Sequence, residues 1–143
     1  MMLRHVGITV KDLEKSLFFY RDLLGFTVAR EMNESGSFID SISKLLNVKV
    51  KTVKLNAPNN GGGMIELLCY ESHKHDVSYR QITHCGISHF ALTVSDIEAI
   101  HSKLTENGIA FNCEPLLSDD GGAKVTFCRD FENNLIEIVE VVQ

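Results

Sequence analysis

The chain has 143 residues, 44% of them hydrophobic, with a formal charge of −5 and a pI near 5.6. That length suits one domain, or two small modules sharing a core. An acidic chain with no basic cluster excludes phosphate-backbone binding to nucleic acid, and no apolar run nears the ~18 residues of a bilayer span. Cys69, Cys85, Cys113 and Cys128 form no CxxC pair, and the N-terminus lacks a signal peptide's apolar region. The expectation is a cytoplasmic protein with reduced thiols.

Residues 3–10 alternate and are rich in β-branched types, which predicts a strand. Asp12 suits the N-cap of a helix over 13–24, where Leu13, Leu17, Tyr20 and Leu24 fall on one face and Gly25 ends the run. A strand is expected from Phe26 to Met32, a turn over Asn33 to Gly36, and a short helix within 37–46. Val48 to Leu55 alternates valine with lysine as a half-exposed strand does. Pro58 to Gly63 has turn chemistry, and Met64 to Tyr70 reads as a strong strand. Gly61-Gly62-Gly63 has the composition of an anion cradle, but a hairpin turn is the more ordinary use. Residues 71–85 are polar and aperiodic and read as a linker. Beyond it the pattern predicts strand 86–94, helix 96–107, a strand near 109–113, and strands 123–129 and 135–142. The chain is therefore divided into a first βαβββ module at 1–70, with an insertion at about 36–48, and a second at 86–143.

The two modules share a sequence signature. His5-Val6-Gly7-Ile8-Thr9-Val10-Lys11-Asp12 returns as His89-Phe90-Ala91-Leu92-Thr93-Val94-Ser95-Asp96. Strand side chains alternate between faces. Val6, Ile8 and Val10 oppose His5, and Ile65, Leu67 and Cys69 oppose Glu66. Phe90, Leu92 and Val94 oppose His89, and Ile136 and Ile138 oppose Glu137. Each apolar parity would pack under a helix, leaving two histidines and two glutamates on the other side. A lone strand histidine is usually a hydrogen-bonded structural residue and a lone glutamate is usually solvated. Four of them at matched positions suggest a metal centre instead. Two carboxylates and two neutral imidazoles neutralise a divalent cation and leave a position for water or substrate. His73 and His75 in the linker, and His101 on the second helix, are weaker candidates.

These motifs, with Phe19-Tyr20-Arg21-Asp22-Leu23-Leu24-Gly25-Phe26, Met64-Ile65-Glu66-Leu67-Leu68 and Phe127 to Glu137, resemble the vicinal oxygen chelate superfamily. That group contains glyoxalase I, methylmalonyl-CoA epimerase, extradiol dioxygenases and fosfomycin- and bleomycin-resistance proteins. The resemblance covers essentially the whole chain. It implies an α+β fold whose two βαβββ modules form a curled eight-stranded mixed sheet. It also implies a divalent ion (Ni, Co, Zn, Mn or Fe) held by His5, Glu66, His89 and Glu137, with Glu137 or Glu66 as the catalytic base. The implied activity is a glyoxalase I-like lyase or an epimerase acting on a small-molecule substrate, in a homodimer. An extradiol-type dioxygenase and a non-catalytic sequestering protein are the alternatives. Where many relatives carry Asp-Pro-x-Gly-Asn before the last strand, this chain has Asp130-Phe131-Glu132-Asn133-Asn134, and Asn133 is expected to take the left-handed conformation.

Overall fold

A computed structural model describes residues 1–60, 62–76 and 79–142. It divides into two compact units, Met1–Val77 and Ser78–Gln143. The first contains β1 (Val6–Thr9), α1 (Leu13–Leu17), β2 (Thr27–Ser35), α2 (Ser37–Ser43), β3 (Lys49–Asn56) and β4 (Met64–Tyr70). The second contains β5 (Phe90–Thr93), α3 (Ile97–Glu106), β6 (Leu116–Leu117), β7 (Ala123–Arg129) and β8 (Leu135–Val141). The strand orders are β1-β4-β3-β2 and β5-β8-β7-β6. In both sheets the first strand pairs in parallel with the last and the remaining pairs are antiparallel. This is the α+β class expected. Among the described residues no helix is long and apolar enough to cross a membrane.

The repeated aspartates start the helices. Asp12 Oδ1 accepts from the backbone N–H of Lys15 at 3.1 Å, and Asp96 Oδ1 from that of Ala99 at 2.9 Å. Each satisfies a donor that the first helical turn leaves open. A second carboxylate reaches α3 from the sheet: Glu140 Oε2 accepts from Ile97 N–H at 2.7 Å. Glu140 thus stands on the helix side of β8, on the same parity as the buried Ile136 and Ile138. The predicted first helix is α-helical only to Leu17 and continues as a π-helical segment, Phe18–Leu23, with Leu24 N–H bonded to Phe19 O. Both Phe19 and Tyr20 lie inside this segment, edge to face at 4.9 Å. Gly25, at φ 79°, closes it as the sequence predicts.

Three boundaries differ from expectation. The turn foreseen at Asn33 to Gly36 is strand as far as Ser35, because Asn33, Glu34 and Ser35 pair with Lys51, Val50 and Lys49. Pairing overrides the turn preference of asparagine. The strand foreseen near 109–113 is a single bridge, Phe111 to Cys128. Ile109 N–H still caps α3 at Leu104 O, and Pro115 has no N–H to extend a ladder, so regular pairing resumes only at Leu116. The strand expected over 86–94 is confined to Phe90–Thr93. The 36–48 insertion does form a helix, and Asp40 staples its return by accepting from the N–H groups of Asn47 and Val48 at 3.0 and 2.8 Å. Of the glycine triplet, Gly61 lies outside the described residues. Gly63 O accepts from Ala57 N–H to close the β3–β4 turn.

Candidate metal half-sites

In the first unit, α1 packs on β4 with Leu13 and Leu17 buried, over a sheet face whose buried side chains are Val53, Leu55, Ile65 and Leu67. The residues of opposite parity form the other face. Gly7, Glu66, Lys54 and Arg30 lie in register across β1, β4, β3 and β2, with His5 one residue before β1. His5 Nε2 lies 3.1 Å from Glu66 Oε2. Lys54 Nζ lies 3.3 Å from Glu66 Oε1. Further along the same face, Ile39 of α2 packs with Val48 and Val50, and Leu68 and Tyr70 pack against them. The insertion therefore borders the face that carries Glu66, which its sequence alone did not reveal.

The second unit repeats the pair. Ala91, Glu137 and Phe127 are in register across β5, β8 and β7, and His89 precedes β5. His89 Nε2 lies 3.5 Å from Glu137 Oε2. Its Nδ1 is 2.8 Å from Ser88 Oγ, and its ring meets Phe127 edge-on at 5.2 Å. Phe127 takes the place on β7 that Lys54 takes on β3, so one glutamate has a cation beside it and the other an aromatic ring. The turn before β8 is held by Asp130, whose carboxylate accepts from Glu132 N–H, Asn134 N–H and the Asn134 side-chain amide, each at 2.9 Å. Asn133 has φ 64°, the left-handed conformation expected of it.

Of the four candidates, His5 thus lies against Glu66 in the first unit and His89 against Glu137 in the second, a pairing that the sequence reading had not specified. Each pair brings together two potential donors. Within neither unit do the described residues gather three His, Cys, Asp or Glu side chains fit to hold an ion. The donor spacing suits a shared ion: two ligands at ~2.1 Å stand ~3.0 Å apart in octahedral and ~3.4 Å apart in tetrahedral coordination. The donor chemistry suits one too, each pair offering an imidazole nitrogen and a carboxylate oxygen. His5 Nδ1 is buried and has no hydrogen-bond partner, so that ring is held by its Nε2 contact and by packing.

The weaker candidates are engaged elsewhere. His73 Nδ1 lies 2.8 Å from Ser72 Oγ, and His75 Nε2 2.8 Å from Tyr70 O. His101 packs on Phe111 with the rings tilted and their centroids 4.3 Å apart, and meets Glu114 at 3.5 Å. All four cysteines are free; Cys128 is buried, and desolvation pushes its thiol up to about 12.

Comparison with known proteins agrees with this architecture. The family model described as Glyoxalase/Bleomycin resistance protein/Dioxygenase superfamily matches residues 2–138. A probable lactoylglutathione lyase of Synechocystis is 31% identical over 142 residues, covering 98% of this chain and 95% of that protein. Among solved structures, a glyoxalase family protein from Bacillus cereus superposes with a TM-score of 0.90 at 21% identity, covering 100% of this chain and 95% of that one. Glyoxalase I of Leishmania major, described as trypanothione-dependent, gives a TM-score of 0.65 at 23% identity, covering 98% and 86%. At these identities the two structures speak for the fold.

Proposed function

Since the chain belongs to the glyoxalase/bleomycin resistance protein/dioxygenase superfamily, we propose that it is a metal-dependent enzyme of carbon-acid chemistry, a glyoxalase I-like lyase or an epimerase. His5, Glu66, His89 and Glu137 would hold one divalent cation, Ni, Co, Zn, Mn or Fe. The observation that carries this reading is the recurrence of one histidine–glutamate pair in each unit, at donor separations of 3.1 and 3.5 Å. Either pair alone is an incomplete ligand set; together they give two neutral and two anionic donors.

Stabilisation of an enolate or enediolate oxygen is the chemistry such a cation supplies there. The chain's own residues divide the remaining work. The imidazoles of His5 and His89 bring neutral donors, which leaves the net charge to the carboxylates. Glu137 is the assigned base and takes the proton from the carbon next to a substrate carbonyl. Its neighbour across the ladder is Phe127, and among the described residues no lysine or arginine is paired with it as Lys54 is with Glu66. Return of the proton to a different carbon gives isomerisation, and its return to the other face of the same carbon gives epimerisation. Glu66, from the matched position, is the second base that epimerisation requires.

The test is metal analysis of the purified protein before and after chelation, followed by reconstitution with each ion. The reconstituted protein is then assayed against methylglyoxal hemithioacetal, methylmalonyl-CoA and catechols. The proposal expects one ion per chain and turnover of one of the first two substrates. Turnover of a catechol supports the dioxygenase reading instead. Unchanged binding of small molecules by a metal-free protein, without turnover of any, supports sequestration.

A further inference from the structure

We propose that Lys54 and Arg30 form an oxyanion-binding pair beside the metal half-site, and that the substrate carries a carboxylate or phosphate-type group recognised by it. This rests on the reading of Glu66 as a metal ligand and adds the substrate's charge to it.

Lys54 and Arg30 are direct partners across the β3–β2 ladder, so their side chains rise from the same sheet face. Like charges placed opposite one another destabilise a ladder. Here they stand in a chain of net charge −5, where acidic partners abound. The other face of the same two strands shows the ordinary solution: Lys51 is paired with Glu31 at 3.9 Å. Arg30 is exposed and, among the described residues, has no carboxylate partner. Lys54 is largely covered, its side chain 23% exposed, and its counter-ion is Glu66 at 3.3 Å. Glu66 is therefore shared between a histidine and a lysine, and a cation held by it would weaken the compensation that it gives Lys54. Two adjacent cations on one face, one with a planar fork of donors, then meet the requirements of an oxyanion. Among the described residues the second unit has no equivalent pair, since Phe127 stands where Lys54 does. The Lys54–Arg30 side is therefore polar and anion-selective, whereas the surroundings of Glu137 are aromatic.

The experiment uses phosphate as the probe, followed by amide and arginine Nε NMR shifts, with acetate in parallel to separate dianion selectivity from carboxylate binding. In the metal-free protein, phosphate should bind weakly because Glu66 occupies Lys54. Metal-free Glu66→Gln, which frees Lys54, should bind one of the two anions about 10-fold or more tightly, by the strength of a charge-assisted hydrogen bond. The shifts should centre on β2 and β3. Adding Arg30→Gln or Lys54→Met should abolish the gain. No gain for either anion in a folded Glu66→Gln protein, or a gain that survives both second substitutions, overturns the proposal. Should Glu66→Gln fail to fold, metal-loaded parent and metal-loaded Arg30→Gln are compared; equal phosphate affinity overturns it as well. The metal-free arm holds no ion, so its failure is separate from failure of the metal centre. That reading is tested by metal stoichiometry alone.

Discussion

Glu137→Gln separates the proposed base from the proposed ligand. The side chain is on the sheet face away from α3, about a quarter exposed, and meets His89 at 3.5 Å. The buried neighbours on the same strand, Ile136 and Ile138, face the other way and are untouched. A substitution of this kind costs within ~0.5 kcal/mol. Unfolding entropy for a chain of this size is about 0.3 kcal/mol per degree, so Tm should move by less than about 2 °C. Glutamine keeps an oxygen donor but removes a negative charge and the proton acceptor. Metal should therefore bind more weakly yet still load at saturating concentration. The rate at saturating metal should fall by ~10²–10⁴-fold, the usual share of a general base. Metal content by elemental analysis, Tm by calorimetry and the rate on the substrate found by screening give three readings on one variant. A parental rate at full metal loading refutes the assignment and moves the role to Glu66. A Tm drop of many degrees means that the loss of activity has a structural cause.

His89→Ala removes one neutral donor and should weaken metal binding without unfolding the strand, measured by competition with a chromophoric chelator. Glu140→Ala removes the charge-assisted bond to Ile97 N–H and should cost about 2 kcal/mol, some 6–7 °C in Tm, while Glu140→Gln keeps an acceptor and should cost less. Cys128 should resist thiol reagents at pH 8, where the exposed Cys85 and Cys113 react, and yield only after denaturation. Because its folded-state pKa is raised from 9.0 to about 12, this thiol's contribution to stability is complete below pH 9 and is lost as the pH rises from 9 towards 12. A denaturation series across that interval should show the decline, and Cys128→Ala should flatten it. A homodimer is expected, and a monomer mass independent of concentration in sedimentation refutes it.

Much of the fold was legible because local and long-range signals agree. The duplicated His-to-Asp octet carries an alternating strand and an N-cap in one motif, and both helices start at its last residue. Parity put Glu66 and Glu137 on the sheet face away from the helix, since a ladder residue's face is fixed by its neighbours; which histidine meets which glutamate follows from the β1–β4 and β5–β8 registers. The failures occurred where tertiary contact overrides local preference. Asn33 pairs with Lys51 instead of turning, and the 109–113 stretch spends its polar groups on α3 and β7. Lys54 was hidden for a different reason. The alternating run Val48 to Leu55 shows which of its residues share a face, but not which strand lies opposite. Glu66 becomes its neighbour only through the β3–β4 register. The same holds for α2: the helix was visible, but its docking on Val50, Leu68 and Tyr70 was not.

The parallel pairing of β1 with β4 makes the His5–Glu66 contact a reporter of folding order. β2, β3 and β4 form a meander of neighbours, which closes short loops. β1 is four residues long and pairs with β4 across the whole intervening chain of its unit. Long closures carry the larger entropic cost and form late. The contact of His5 with Glu66 is thus tied to the pairing of the greatest sequence separation in its unit, and β5 with β8 stands likewise for His89 and Glu137. A short outer strand can also detach while the meander stays intact, so amide exchange in β1 and β5 should be faster than in β3 and β4. An ion bridging histidine to glutamate would act as a clasp on that strand, and metal loading should slow exchange there before it changes anything in the meander.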